Sequence, residues 1–376
     1  VDLDLIVVGG GPVGASLARA ASDLAVALVA AEPRVPRDAP HEGFDARVYA
    51  LTPGNVEFLK RIGAMPEADA TPVHAMRIHG DDASRIEFDA YRAGVPALAW
   101  IVEDRRLQDA LWRGLDAEAG VPEAIEIESD QAVLRLVGGR EMRARLIAGA
   151  DGARSFVRER AGIPAADRAY GQSALVANFA CERPHANTAC QWFQGGPVLA
   201  LLPLPGSHVS MVWSLPAPEA ARLGALAPDA LCREVEAASR GALGQLSLVT
   251  APRSYPLRRL AARRLIAPRV ALLGDAAHVV HPLAGQGLNL GLQDVRTLVQ
   301  VLGERGRLRD PGDYSVLRRY ERARAEPILA MDTMVDGLYT LFQARNPLAT
   351  RLRNAGLNLT DRVPVLKNLL IRQAIL

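Results

Sequence analysis

Short β-branched runs closed by glycine alternate along this chain with longer stretches of helical period. DLIVVGG (residues 4–10) is such a run and predicts a strand buried on both faces. PVGASLARAASDL (12–24) then predicts a helix and AVALVAAE (25–32) a second strand, a βαβ unit of about 30 residues. RVYALTPGNVEFLKRIG holds a helix ending on Gly63, and RRLQDALWRGLDAEAG an amphipathic helix closed by Gly120. EAIEIESDQAVLRLVGGREMRARLIAGADG alternates and turns at its glycine pair, predicting an antiparallel ribbon that leads into a buried strand. GPVLALLPLPGSHVSMVWSLP predicts paired strands about a Gly-Ser turn, RVALLGDAAH a further buried strand, and GLNLGLQDVRTLVQVLGERG a long helix with mostly helical sequence after it. The strands expected at 3–8, 26–31, 144–150 and 269–273 are far apart in sequence, so the sheet they build is assembled from separate pieces.

Composition changes this picture little. A chain of 376 residues favours two domains, or one with a large inserted layer. Its charged share of 23% and hydrophobic share of 49% are those of a soluble globular protein and give no sign of disorder. A net charge of +2 excludes the global field that draws a protein onto nucleic acid, so no nucleic-acid partner is expected. Cys181, Cys190 and Cys232 form no C-x-x-C pair, and an odd number argues for reduced, buried thiols in a cytoplasmic setting. Asp2 and Asp4 stand where a signal peptide would be basic, and no run of about 18 uncharged apolar residues offers a membrane span.

Gly9, Gly11 and Gly14, with Pro12 and Val13 between, have the G-x-G-x-x-G spacing after a strand and before a helix. Gly9 allows the tight turn, Gly11 lets pyrophosphate oxygens approach the backbone, and Gly14 permits close helix packing. Glu32 ends the second strand, where a carboxylate can accept both hydroxyls of an adenosine ribose. A second constellation, LLGDAAHVVHPLAGQGLNLGLQDV, places Gly274 and Asp275 after a buried strand, then Pro282, Gly285, Gln286 and a helix starting near Gly287. An acid there can bind a ribityl or ribose hydroxyl, and the N–H groups of Leu288 and Asn289 suit negative charge on a reduced flavin. His278 and His281 are spaced as an H-x-x-H pair, but no third ligand is visible and Pro282 interrupts the helix that would align them, so no metal is expected. His281 either lines the flavin or substrate face or is structural.

VVGGGPVG, GADGARSFVR and LLGDAAHVVHPLAGQGLNLGLQD together resemble, in order and spacing, the nucleotide fingerprints of class A flavoprotein aromatic hydroxylases. FDARVYAL, WIVEDRRLQDAL, RYERAR, DGLYTLF and LRNAGLNLTDRVPVLKNLL extend the likeness to the ubiquinone-biosynthesis (polyprenylphenol) hydroxylases over essentially the whole chain. The resemblance implies an α/β fold: a discontinuous Rossmann-like FAD-binding domain (1–70, 97–169 and 258–335), an inserted β-sheet substrate domain (71–96 and 170–257), and a helical C-terminus (336–376). It implies Arg47 beside the flavin ring and Arg105 with Gln108 on the FAD phosphates. Asp151 and Gly152 would serve FAD and the incoming NADH or NADPH, and the Pro282 peptide would lie near the flavin carbon that meets oxygen. Asp104 stands where the family has Asn, exchanging donors for an acceptor, and receives no cofactor role. Arg154 and Arg158 are either part of that site or surface cations.

The implied reaction is insertion of an oxygen atom from O₂ into the ring of an electron-rich, prenylated phenol, with NAD(P)H as reductant. Arg47, His281 and Pro282 lie nearest the chemistry. No G-x-S-x-G nucleophile is present, as expected where the cofactor supplies the electrophile. LALLPLP and VSMVWSLP suit either an apolar wall for a prenyl chain or plain core packing. Residues 341–376 carry six basic side chains and one acidic among Leu, Ile, Val and Phe, a pattern for peripheral contact with the inner membrane, for a partner in a biosynthetic complex, or for a packed helix with a solvated face. Rival readings are a hydroxylase of another aromatic metabolite, a flavin halogenase, whose W-x-W-x-I-P signature is absent, and a non-catalytic flavoprotein scaffold.

Overall fold

The computed structural model describes residues 3–37, 41, 43–80, 84–280, 287–306 and 308–343, with side chains to 337. Among them the four scattered strands meet in one parallel array. Val270–Leu272, Glu141–Gly149, Leu3–Val8 and Val26–Ala30 lie side by side, with Leu5 opposite Leu146 on one side and Val26 on the other. Leu5, Ile6, Val7, Leu146, Ile147 and Ala148 have no exposed surface, because helices and the neighbouring ribbon pack with these apolar runs in one core. The helix Pro12–Ala20 follows the first strand directly and carries Pro at its first turn, where the missing N–H costs nothing.

One element differs from expectation. The helix over Asp104–Trp112 stops well short of Gly120, and Ala117–Ala119 pairs in parallel with Val26–Ala30 as the sheet's edge. The free edge of a buried strand satisfies its backbone groups with whatever segment passes it, which overrides the weak helical preference of AEA. The expected ribbon forms as Pro122–Ile127, Ala132–Leu136 and the first half of Glu141–Gly149.

A second sheet of nine strands is mainly antiparallel. Its centre is the long strand Ala165–Cys181, paired with His208–Pro216 on one side and Arg253–Ala262 on the other. Residues 258–262, grouped by the sequence reading with the nucleotide-binding segments, thus pair with this sheet, and His278–Val279 closes its end. A small sheet of Val48–Leu51, Ala99–Glu103 and Thr71–Val73 lies between the two larger ones in the chain's contacts.

Period-two alternation decides what LALLPLP and VSMVWSLP do. Leu199, Leu201, Met211, Trp213 and Leu215 point to one face and form a core with the helices Ala217–Gly224 and Pro228–Ala238. Ala200, Leu202, Ser210, Val212 and Ser214 share the opposite face, so the bulkiest residues serve packing and the smaller ones face the rest of the molecule.

The helix Tyr314–Gln343 touches both sheets. Tyr320 donates from its hydroxyl to Leu272 O at 2.8 Å in the parallel sheet, and Arg259 of the second sheet grips Asp332 with both guanidinium arms. Among the described residues no helix is long and apolar enough to cross a membrane.

Candidate active site

The glycine loop has the geometry its spacing predicts. Gly9 sits at φ +116°, and a Cβ there would lie 2.3 Å from Ala150 O; one on Gly14 would lie 1.9 Å from Gly9 O. Only glycine fits either place. At Gly11, by contrast, a Cβ would meet no atom within 4 Å, so the loop's outer surface is open. No side chain caps the helix that follows, and its first turn faces that opening.

Beside the loop lies a cavity of about 400 Å³ lined by Gly10, Ala30, Ala31, Glu32, Pro33, Arg34, Gln108 and Trp112. Trp112 forms part of its floor and donates from Nε1 to Gly10 O at 3.0 Å. Sequence reading missed this tryptophan, whose only signal was its place at the end of the Asp104–Trp112 helix. It also missed Asp109, which ties Arg34 (3.2 Å) and His41 (2.5 Å) to the cavity's rim. Glu32 and Gln108, 76 residues apart in sequence, thus share one cleft.

The helix Asp104–Trp112 supplies the next contacts. Buried Glu103 accepts from the backbone N–H of Asp45, from Arg106 Nε at 2.5 Å and from Arg105 Nη2 at 3.4 Å. Asp45 in turn accepts from Arg47 N at 3.0 Å and Arg105 N at 3.3 Å, and its carbonyl receives Asn178 Nδ2 of the second sheet at 2.7 Å. These bonds fix the loop that carries Arg47. Two buried polar atoms here have no partner, Arg105 Nε and Gln108 Oε1. Buried polar atoms are rarely left unsatisfied, and water, an ion or a ligand commonly completes them.

Arg47 stands over the Tyr49 ring, 5.3 Å from its centroid, and Tyr49 donates to Asp104 Oδ1 at 2.8 Å. Asp104 is therefore engaged inside the protein. Both Arg47 and Asp275 have open surface, yet each lies deep among protein atoms, as residues lining a cleft do. Burial pushes the Asp275 carboxyl up, against the pull of His278 and Arg47. For Arg47 burial acts downward, but Tyr49, Asp104, Asp275 and Tyr255 together hold its guanidinium above the ordinary range. The pair is thus an open positive and negative charge on one cleft floor.

Gly274 and the helix Gly287–Gly303 close on the same place. A Cβ at Gly274 would lie 3.0 Å from Val13 Cγ2, and one at Gly291 only 2.6 Å from that atom. Val13, in the first glycine turn, is thus clasped by the second constellation. Gly274 N donates to Asp294 Oδ2 at 2.9 Å. Asn289 uses its side chain for structure, with Oδ1 accepting from Thr52 N at 3.0 Å and Asn55 Nδ2 at 2.9 Å and Nδ2 donating to Ala50 O at 2.8 Å.

Asp151 serves its own turn. Its carboxylate accepts from Ser155 Oγ at 2.5 Å and Val157 N at 3.0 Å, fixing the turn into the helix Phe156–Arg160. Gly152 beside it has open space where a Cβ would stand. Arg158 is half-buried and donates to Ala276 O at 2.8 Å and Ala153 O at 2.9 Å, so it is not a free surface cation. His281, Pro282, Gly285 and Gln286 lie outside the described residues. Among the described residues no cluster of three or more His, Cys, Asp or Glu offers a metal site.

These features fit FAD: open space at Gly11, an acid at Glu32 in the neighbouring cavity, unpaired polar atoms on Arg105 and Gln108, and an open acid at Asp275. Comparison with known proteins agrees. A family profile described as an FAD-binding domain matches residues 2–332. The 3-demethoxyubiquinol 3-hydroxylase of Escherichia coli K12 is 32% identical over 99% of this chain and 98% of its own. A ubiquinone hydroxylase of Rhodospirillum rubrum, UbiL, is 33% identical over 99% of this chain and 89% of its own. Among solved structures, PqsL, a probable FAD-dependent monooxygenase from Pseudomonas aeruginosa, superposes with a TM-score of 0.76 at 25% identity, covering 95% of this chain and all of that one.

Proposed function

This chain belongs to the FAD-binding-domain family, and from that premise we propose that it is an NAD(P)H-dependent flavoprotein monooxygenase that hydroxylates the ring of a polyprenylated phenol in ubiquinone biosynthesis. One observation carries the reading: the two glycine turns, Gly9–Gly14 and Gly274, converge on Val13, so an extended dinucleotide can be held by both at once.

In this reading the N–H groups of the Gly11–Gly14 turn take the pyrophosphate, Glu32 the adenosine ribose, and Arg105, through its guanidinium, and Gln108, through its amide N–H, the phosphates. Asp275 takes a hydroxyl of the ribityl chain, the backbone of Gly152 and Gly274 allows close approach, and the N–H groups of Leu288 and Asn289 face the flavin's pyrimidine end. Bound FAD supplies hydride acceptance from NAD(P)H and activation of O₂. The chain's own residues bind, orient and keep water out. Arg47, above Tyr49 and beside Asp275, holds a fixed positive charge at the cleft floor where negative charge develops.

The substrate ring fits between Arg47 and the second sheet. Val176, Val212 and Ala200 are paired neighbours across three strands on the face that also carries Tyr255, one of the groups acting on Arg47. Small apolar side chains there suit a ring and the start of a prenyl chain. His281 and Pro282 complete the set of residues assigned to the reacting end. The basic segment 341–376, all but its first three residues outside those described, suits contact with anionic lipid and so a place at the inner membrane surface.

The test is incubation of the purified, flavin-loaded chain with NADH or NADPH, ¹⁸O₂ and a prenylated phenol. One ¹⁸O atom in the ring of the product is the expected result. Reductant consumption that yields only hydrogen peroxide with every phenol tried would reject it.

A further inference from the structure

The most enclosed ionic group in the described structure is not in the cleft but behind it. Asp294, on the helix Gly287–Gly303, has no exposed surface. Its Oδ2 accepts from Gly274 N at 2.9 Å and from His278 Nε2 at 2.7 Å, and its Oδ1 from Arg324 Nε at 2.6 Å. Arg324, 3% exposed, reaches from the helix Tyr314–Gln343 and also donates to Leu290 O and Gln293 Oε1, each at 3.3 Å. One carboxylate therefore joins the Gly274–Ala276 turn, the strand His278–Val279 and two helices.

An arrangement this buried is costly unless every partner is in place, and breaking one partner leaves an uncompensated charge. Stability alone would be served as well by apolar packing. What the ion network adds is direction. The Gly274 N–H points inward to Asp294, which turns the next residue, Asp275, outward to the cleft. His278, with Nε2 committed to Asp294, keeps its buried Nδ1 without a partner. Its ring lies close enough to Asp275 to act on that carboxyl's charge. The same network also ties the turn to the helix whose first residues, Leu288 and Asn289, are assigned to the opposite end of the flavin.

We propose that Asp294, His278 and Arg324 are positioning residues that aim Asp275 and lock the spacing between the Gly274 turn and the helix Gly287–Gly303, and so set how tightly FAD is held and how its ring is polarised. None of the three touches the cofactor; they act through Asp275 and the helix. The proposal rests on the FAD reading above.

The test uses the full chain, stripped of flavin and titrated with FAD by fluorescence, with the visible spectrum and midpoint potential of the bound flavin recorded. Gln places an amide N–H near the position of Nε2, whereas Leu removes it. His278→Leu is expected to weaken FAD binding about tenfold and to shift the flavin band and potential, while His278→Gln stays within about threefold of the parent with its spectrum intact. Asp294→Asn and Arg324→Lys are expected to follow His278→Leu in affinity and spectrum and also to melt lower without flavin, because each leaves a buried charge without its full partner; if Asp294→Asn does not fold, the His278 pair decides. Equal weakening by Leu and Gln, or unchanged spectrum and affinity in His278→Leu, would overturn the proposal. A parent chain that binds no FAD fails at an earlier point, and the family-based reading falls with it.

Discussion

Val13 stands between two glycines that belong to the other end of the chain, and this contact can be tested by a double-mutant cycle. Gly291 lies within a helix, where alanine is normally better than glycine by about 1 kcal/mol. Here a Cβ would come to 2.6 Å from Val13 Cγ2 and 3.2 Å from Gly274 Cα. The first approach is well inside contact distance, and overpacking of this kind costs about 1–3 kcal/mol. Gly291→Ala is therefore expected to destabilise by about 1–2 kcal/mol despite the helical gain. In a Val13→Ala background the first clash vanishes and only the approach to Gly274 remains, so the same substitution should cost at least about 1 kcal/mol less. Urea unfolding of the flavin-free chain measures each corner, and FAD titration of the same four proteins measures whether the clasp also shapes the cofactor groove. If Gly291→Ala costs nothing, or costs the same with and without the valine methyls, the two turns do not converge on Val13 and the continuous groove is wrong.

Three further outcomes follow from the geometry. Tyr320→Phe removes the 2.8 Å bond to Leu272 O in a buried place and should cost about 1 kcal/mol in the same unfolding assay; no loss would mean that water or a shift replaces it. Asp294 is pushed up by burial, but His278, Arg324 and Gly274 N hold its carboxyl below the ordinary 3.8. The stability it adds is present above that pH and lost as pH falls through its folded value, so the acid limb of a stability–pH curve should flatten in Asp294→Asn and nowhere else. Burial pushes the Cys190 thiol up to about 11, against the pull of Arg77, so iodoacetamide at pH 8 should label Cys190 only on unfolding, as read by peptide mass.

Much of this architecture is legible in local pattern. The runs LDLIVV, VALVA and the end of Glu141–Gly149 are continuous and apolar, and only a sheet covered on both faces accepts such strands. The glycine spacing carries its own geometry, as Gly9 and Gly14 show. What local pattern cannot hold is pairing at a distance. Ala117–Ala119 has no strand signal of its own and becomes a strand because an edge is available. Asp294 and Arg324 are 30 residues apart, each on a helix where a charge normally reads as solvated surface, and nothing in GLQDV or RYERAR marks them as partners. Asp151 follows a strand, as a cofactor ligand would, yet Ser155 four residues on offers its hydroxyl as a nearer use for the carboxylate. The bulky residues of VSMVWSLP pack away from the cleft because a strand has two faces, and composition does not say which face is which.

Strand order also has a temporal side. Glu141–Gly149 lies between Leu3–Val8 and Val270–Leu272, so one flank of it finds a permanent neighbour early in synthesis and the other waits for more than a hundred further residues to leave the ribosome. During that wait Leu146, Ile147 and Ala148 present an apolar, unpaired border to solvent. Truncation before Val270 should therefore give aggregates rather than a smaller folded protein.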